Sequence, residues 1–417
     1  MKNVAGIKRR FMSVYWFLAY YWKRFCSFLP HSPRCLIIPS DIHGLIGSRG
    51  DQAMFTVITS KIQARHQRTV IDVAVQNPAA LKPSLPAGVG AIPFQRLSLK
   101  GRSRTTTLAG YDELIIQGAD TMDGFYNEDF SVQLWEIAGE AALANANSRI
   151  LGTSLNGQIT ERVQRVIRAA PPGLKVGVRD PVSLEHLDSV RPGLGSLVAD
   201  IAFLLSPRPI SRCSTSIQQS FAWCQQRREA GGLVVGVNLH PMLFPSNDRE
   251  GMNQLIKAFS AVLTALIHEQ NLSFLLVPHD FREGFADGLV LEKLARLIQP
   301  HNPENIRWHV EASQADEIKT LTSELDALVT GRMHLGIAAL GQSVPIAALT
   351  YQGKFEGLFQ HLGLPDKLVM PPATAGCEEN LLVLFKTLLN ERHRFSAIIR
   401  QSLPKILDLS EKNFDLK

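Results

Sequence analysis

Arg332 and His334, two residues apart in Leu328-Val329-Thr330-Gly331-Arg332-Met333-His334-Leu335, combine a permanent cation with a side chain that exchanges protons near neutrality. The apolar run ending at Thr330 predicts a strand, Gly331 a tight turn, and the small-residue stretch to Gly341 a helix closed by that glycine. Arg332 and His334 then stand at a helix N-terminus, where unpaired N–H groups and the helix dipole attract anions. A guanidinium there grips a carboxylate or phosphate through two parallel hydrogen bonds. An imidazole there can give or take a proton during a reaction. The structural alternative is an arginine capping a carboxylate and a histidine that merely packs.

Three further segments put chemistry in comparable places. In Lys175-Val176-Gly177-Val178-Arg179-Asp180-Pro181 a strand delivers Arg179 to a sheet edge, and Asp180-Pro181 reads as N-cap and first residue of the next helix. In Gly47-Ser48-Arg49-Gly50-Asp51 the glycines, Gly50 among them, let a ligand approach the backbone, and Asp51 either caps a helix or meets a hydroxyl. In Tyr351-Gln352-Gly353-Lys354 the lysine follows a strand and is placed to reach an anion. Asn238 before His240-Pro241, His279-Asp280, and Gln117-Gly118-Ala119-Asp120 each close a predicted strand as well. Each of these also has a plain structural explanation as a turn, a cap or a solvated charge.

The elements that must position them alternate in type. Short β-branched runs at Cys35–Pro39, Thr69–Val75, Glu113–Gln117, Arg149–Ser154, Leu174–Val178 and Leu197–Leu204 are separated by longer helical stretches. A second series follows at Leu233–Asn238, Ser273–Pro278, Ile306–Val310, Ala327–Thr330, Val344–Leu349 and Lys367–Val369. Near-continuous apolar strands alternating with helices predict parallel sheets covered on both faces. The fold class expected is α/β, with two doubly wound Rossmann-like domains facing a cleft, over residues 34–205 and 233–417, joined by a linker with a helix over 206–232. Ligands of such sheets bind beyond the carboxyl ends of the strands, where each segment above falls.

Composition narrows the partners. Residues 1–30 hold Lys2, Lys8, Arg9, Arg10, Lys23 and Arg24 and no acid, while the remaining 387 residues balance 38 basic against 38 acidic side chains. The excess charge of +6 therefore belongs to the N-terminus, and no basic face for nucleic acid is expected. Within residues 1–33, Phe11 to Trp22 reads FMSVYWFLAYYW between two basic clusters. It is too short to span a bilayer and suits an aromatic, amphipathic helix on an anionic membrane face, the cytoplasmic side of the inner membrane. Packing against the body or an oligomer partner, or a signal-anchor, are the alternatives. The five cysteines show no metal-ligand spacing, which fits a reduced compartment and no bound metal. No P-loop, G-x-S-x-G or H-E-x-x-H is present.

Taken in order, the G-x-x-G-D turn at Gly47–Asp51, the R-D-x-x-S element at Arg179–Ser183, Asp200-Ile201-Ala202-Phe203-Leu204 (expected as a strand), the G-R-x-H segment at Gly331–His334 and Lys354 resemble the polysaccharide pyruvyl transferase family over roughly residues 35–370. The resemblance implies a fold like that of GT-B glycosyltransferases, phosphoenolpyruvate as donor substrate with no other cofactor, and a 4,6- or 3,4-linked pyruvate ketal on a sugar or lipid-linked oligosaccharide as product. It implies that Arg179 and Arg332 hold the donor's carboxylate and phosphate, that His334 is the acid/base, and that Lys354 assists. Asp51, Gly50, Gly331, Asn238 and His279 complete the expected binding set. Two positions depart from the family pattern. Gln117-Gly118-Ala119 replaces a glycine triplet, and Arg49 stands where a small or amide residue is commoner, with altered acceptor contacts expected. The competing functions are a nucleotide-sugar glycosyltransferase on the same scaffold, for which Glu356 is the one candidate ribose ligand, and a non-catalytic assembly factor.

Overall fold

The computed structural model describes residues 32–416 apart from Gly44, Ile46, Leu99, Asn145, Tyr351 and Gln352, and without the side chains of Arg102 and Lys354. The expected N-terminal helix lies outside the described residues. Among the described residues no helix is long and apolar enough to cross a membrane.

Two all-parallel sheets carry the site. The first holds β1 (Arg34–Ile38), β2 (Val70–Val75), β3 (Val89–Pro93), β4 (Glu113–Ala119), β5 (Asn147–Thr153), β6 (Lys175–Val178) and β7 (Gly195–Leu197) in the order 3-2-1-4-5-6-7. The second holds β8 (Leu233–Asn238), β9 (Leu272–Leu276), β10 (Ile306–Trp308), β11 (Ala327–Thr330), β12 (Ile346–Leu349) and β13 (Val369–Met370) in the order 10-9-8-11-12-13. Central strands such as Leu272–Leu276 are buried throughout, as helices on both faces of a parallel sheet require. In each sheet the strand order reverses once, between β1 and β4 and between β8 and β11. A crevice opens at such a reversal because neighbouring connections leave in opposite directions.

The helices named below are α1 (Arg49–Arg65), α2 (Pro181–Val190), α3 (Arg249–Gln270), α4 (Gly288–Ile298), α5 (Met333–Leu340), α6 (Lys354–Leu362) and α7 (Arg392–Glu411). The last of these crosses back to the first sheet. Ser410 Oγ donates to Asp200 O at 3.0 Å, and Asn413 just beyond the helix donates to Ala199 O at 2.8 Å.

Several local expectations need correction. Leu197–Leu204 is not one strand: β7 ends at Leu197, and Ile201–Leu204 forms a 3₁₀ turn started by Asp200, whose carboxylate accepts from Ala202 N at 2.9 Å. An acidic residue that caps its own turn competes with sheet pairing, which apolar patterning alone does not register. Strand β3, Val-Gly-Ala-Ile-Pro, was not expected; as an edge strand it is only half-buried and carries Gly90 and Pro93. Lys367 lies in a 3₁₀ turn ahead of β13 rather than in the strand.

Candidate active site

Helix α5 begins one residue after Arg332, which occupies the N-cap position with extended backbone and offers no side-chain cap. Thr330 Oγ1 instead accepts from Arg332 N at 2.9 Å and shapes the turn out of β11. The first-turn amides of α5 are thus uncapped by any side chain, which leaves an anion-attracting helix end at the cleft. Gly331 lies in the two-residue connection between β11 and α5, the tight turn expected, and makes it without a positive φ. Its lack of a side chain matters for space, since a Cβ there would sit 2.7 Å from Leu243 and 2.8 Å from His240. Gly341 follows the helix in a right-handed conformation, and the left-handed residue is Ser343.

The guanidinium of Arg332 is fixed by acids of the same domain. Nε and Nη2 donate to Asp287 Oδ1 at 2.9 and 2.7 Å, Nη1 lies 3.3 Å from Asp280, and Nη2 also donates to Phe285 O at 2.9 Å. Asp287 is buried, and desolvation raises its pKa against the opposing effect of Arg332. Asn238 is fully buried and does not line the cavity; its Nδ2 donates to Asp287 Oδ2 at 2.8 Å, so it acts from beneath, on the acid that orients Arg332.

From the first domain come Arg179 and Asp200, each with a side chain only 2% exposed. Arg179 Nη1 donates to Asp200 Oδ2 at 2.8 Å and Nε donates to Ser154 Oγ. Asp180 and Pro181 cap α2 as expected, with Asp180 accepting from Ser183 N at 2.8 Å. Asp200 also faces the other domain, with His334 Nε2 3.5 Å from its Oδ2. Burial works against ionising Asp200, yet His334 and Arg179 together hold its carboxyl well below the usual range. Asp200 was not among the expected site residues, although the Asp200–Leu204 segment was noticed.

Helix α1 completes the wall. Ser48, not Asp51, caps it, accepting from Asp51 N at 3.3 Å. Asp51 turns into the cavity, where Ser40 Oγ donates to it and Gln117 Nε2 donates at 3.2 Å; burial raises its pKa. Gly50 lies against the imidazole of His334, and a Cβ there would overlap the ring. Arg49 does not reach the cavity: its Nε donates to Ser313 O of the second domain, and its guanidinium stacks 4.7 Å over Phe281. An arginine at that position clamps the domains together instead of meeting an acceptor. His279 lines the cavity; burial first, and then the charges of His334, Arg332 and Arg49, push its pKa well below the usual value. Ala119 lines it too, with φ 104°, a strained region for a residue with a Cβ.

These groups surround a cavity of about 290 Å³ at both strand reversals, with Arg179, Arg332, His334, His279, Asp51, Gly50 and Gly331 in its walls. His240 and Arg282, which sequence placed weakly or not at all, are there as well. Lys354 begins α6 beside the cleft, but its side chain lies outside the described residues.

Two Rossmann-like domains closing on a cleft with arginines from both sides define a GT-B-like scaffold. Solved structures agree on that fold. UDP-GlcNAc 2-epimerase from Neisseria meningitidis bound to UDP-GlcNAc matches with TM-score 0.57 and 11% identity, over 92% of this chain and 99% of that one. The UDP-GlcNAc 2-epimerase of Methanocaldococcus jannaschii gives 0.54 and 11%, over 86% and 93%. A glycosyltransferase from Rickettsia africae gives 0.53 and 11%, over 93% and 98%. At such identities the likeness is one of fold alone. No curated protein matches. The family model for polysaccharide pyruvyl transferase matches residues 10–353, and the chain belongs to that family of transferase enzymes.

Proposed function

We propose that this enzyme transfers the enolpyruvyl group of phosphoenolpyruvate to two neighbouring hydroxyls of a sugar, forming a pyruvate ketal during assembly of a cell-surface polysaccharide. The observation that carries this is the meeting of Arg179, Arg332 and His334 in one cavity from opposite domains, with buried Asp200 behind it bridging Arg179 and His334. A donor with a carboxylate and a phosphate needs two separated cationic grips. Arg179 keeps its Nη2 without a protein acceptor among the described residues, and Arg332 adjoins the uncapped end of α5.

The chemistry then runs on this chain's own groups. Asp200 is a firmly ionised counter-charge for the imidazolium of His334, the form that protonates the methylene carbon of the donor. A sugar hydroxyl attacks the resulting cationic carbon, the C–O bond to phosphate breaks, and a second hydroxyl closes the ketal. Of the two hydroxyl protons, one returns to His334 and one leaves on phosphate. Asp51 contacts an acceptor hydroxyl.

The GT-B-like neighbours raise a nucleotide-sugar reaction as the second reading. It requires a carboxylate for a ribose, and Glu356 already accepts from Thr350 Oγ1 at 3.3 Å. The test combines thermal shift with product analysis. Phosphoenolpyruvate should raise Tm where UDP-GlcNAc does not, because only a ligand of the native state stabilises it. Polymer from a strain lacking the enzyme should gain the mass of a pyruvate ketal on incubation with enzyme and donor. His334→Gln should keep the thermal shift and retain less than about a tenth of the rate. Stabilisation by UDP-GlcNAc alone would overturn the donor assignment.

A further inference from the structure

Beside the cavity the two domains are joined by a short stretch of paired backbone. Phe281 N donates to Gly47 O at 3.0 Å and Arg49 N donates to His279 O at 3.1 Å, on either side of an antiparallel bridge between Ser48 and Asp280. Residues 47–49 lead into α1 of the first domain, and residues 279–281 come after α3 and β9 in the second. Two such bonds hold a polar interface only weakly, and relative motion of two domains is the default across one. Side chains that span the seam therefore set how firmly it shuts. Arg49 and Gln52 cross it outside the cavity, to Ser313 O and Gln314. Arg282 crosses it in the cavity wall.

Each nitrogen of the Arg282 guanidinium meets a carboxylate. Nε donates to Asp280 Oδ1 at 3.0 Å and Nη2 to Asp280 Oδ2 at 2.5 Å, a fork within the second domain. Nη1 donates to Asp41 Oδ2 of the first domain at 2.5 Å. Asp280 is buried, and its Oδ2 also lies 3.3 Å from Arg332 Nη1. Asp41, Arg282, Asp280, Arg332 and Asp287, the residue before α4, thus form one line of alternating charge that starts in the first domain. Asp51 of the first domain attracts Arg282 from further away. The last contact is steric: a Cβ on Gly47 would sit 2.3 Å from Arg282 Cγ.

We infer that Arg282 is a positioning residue that couples closure of the two domains to the setting of Arg332, acting through Asp280. With Asp41 and Gly47 against it, Arg282 holds both oxygens of Asp280, and Asp280 presents a fixed edge to Arg332. When the domains part, Arg282 loses its anchor in the first domain, Asp280 shifts with it, and Arg332 is left to Asp287 alone. The arginine is set for an anion only in the closed molecule. That the anion is phosphoenolpyruvate rests on the function proposed above.

Hydrogen exchange of the full-length enzyme reads the seam directly, because the amides of Arg49 and Phe281 are its two backbone bonds. Arg282 and Asp41 are each 25% exposed, so substitution there leaves the core intact. Asp41→Asn, which keeps the acceptor of the His43 amide, and Gly47→Ala, which changes no charge, should each speed exchange of peptides carrying those amides about threefold or more. In calorimetric titrations Arg282→Lys and Arg282→Met should both weaken phosphoenolpyruvate about tenfold or more, since lysine keeps the charge but not the fork. Asp41→Asn should weaken it severalfold in wild type and not at all in Arg282→Met, because it acts through that guanidinium. Unchanged exchange in both Asp41→Asn and Gly47→Ala would overturn the latch. Wild-type affinity in Arg282→Lys, or equal losses for Asp41→Asn in both backgrounds, would overturn its link to Arg332. If wild type binds no phosphoenolpyruvate while exchange still rises in the variants, the donor reading falls and the latch stands, with inorganic phosphate then titrated as the anion that reads Arg332.

Discussion

Asp200 touches both an arginine of its own domain and the histidine of the other, so Asp200→Asn should act on catalysis through His334. Two unit charges 3.5 Å apart interact by about 5 kcal/mol at an effective dielectric near 20. The imidazole is partly open to solvent and the carboxylate has already lost its hydration, so the net coupling falls to roughly 1–3 kcal/mol. That is a ten- to hundredfold loss in kcat/KM. Asparagine keeps the shape and can still accept from Arg179, so Arg179 should stay in place. The assay is a double-mutant cycle with His334→Gln, read in kcat/KM at saturating acceptor. In the His334→Gln background, Asp200→Asn should cost less than about threefold, because the group it acts through is gone. Equal losses in both backgrounds would refute the coupling. Stability supplies a second readout. The Asp200 carboxyl is depressed in the folded state, so its contribution is fully present above the ordinary carboxyl range and is lost as pH falls through the lower folded value. The Tm difference between wild type and Asp200→Asn should hold steady from about pH 5 to 8 and shrink below about pH 4.

Two further outcomes follow from groups beside the site. Lys319 is buried, donates to Phe203 O at 3.0 Å, and burial lowers its pKa to about 8. Between about pH 8 and 10 the unfolded chain holds a proton that the folded chain has released, so stability should rise with pH in denaturant titrations. Lys319→Met should abolish that rise; at neutral pH the charge burial it removes, on the order of 3 kcal/mol, is offset by the orphaned Phe203 carbonyl at about 1–3 kcal/mol. Ala119→Gly should raise Tm by a few degrees, since relief of strain at φ 104° (about 1–3 kcal/mol) exceeds the added freedom of the unfolded chain (about 0.4–1 kcal/mol). An unchanged or lower Tm in a thermal melt would show that the site is relaxed.

The sheets were legible because their strands are apolar almost without interruption, and the arginines because each ends a strand or opens a helix. What stayed hidden depends on packing. Asp200 reads as the start of an apolar segment, and nothing local reveals that it lies opposite His334, far along the chain. Asn238 reads as a cleft residue because it ends β8, yet its side chain turns inward to Asp287. Arg49 sits in a glycine-rich turn that suggests a ligand, but the second domain is close enough to take its side chain first. Gly50 was read as room for a ligand and Gly331 as a turn former, whereas each also leaves volume for a neighbouring imidazole, His334 and His240 respectively.

The proposed catalytic group draws on both domains, and the chain's route explains how it is held together. Asp200 and Arg179 belong to the first domain, His334 and Arg332 to the second. The turn bearing Asp200 is braced from three directions: Ser410 near the end of α7 donates to Asp200 O, Asn413 donates to Ala199 O, and Lys319 donates to Phe203 O. The buried ammonium of Lys319 thus has a physical reason, because the last carbonyls of a helical turn carry partial negative charge. Gly357 of α6 leaves room for Asp180, as Gly50 does for His334, so each domain presents a glycine where the other presents a site residue or its neighbour. Closure therefore rests on close backbone approach and on α7 returning to the first sheet. Loss of the Ser410 hydroxyl on α7, remote from the cavity, therefore removes a direct support of the backbone that carries Asp200.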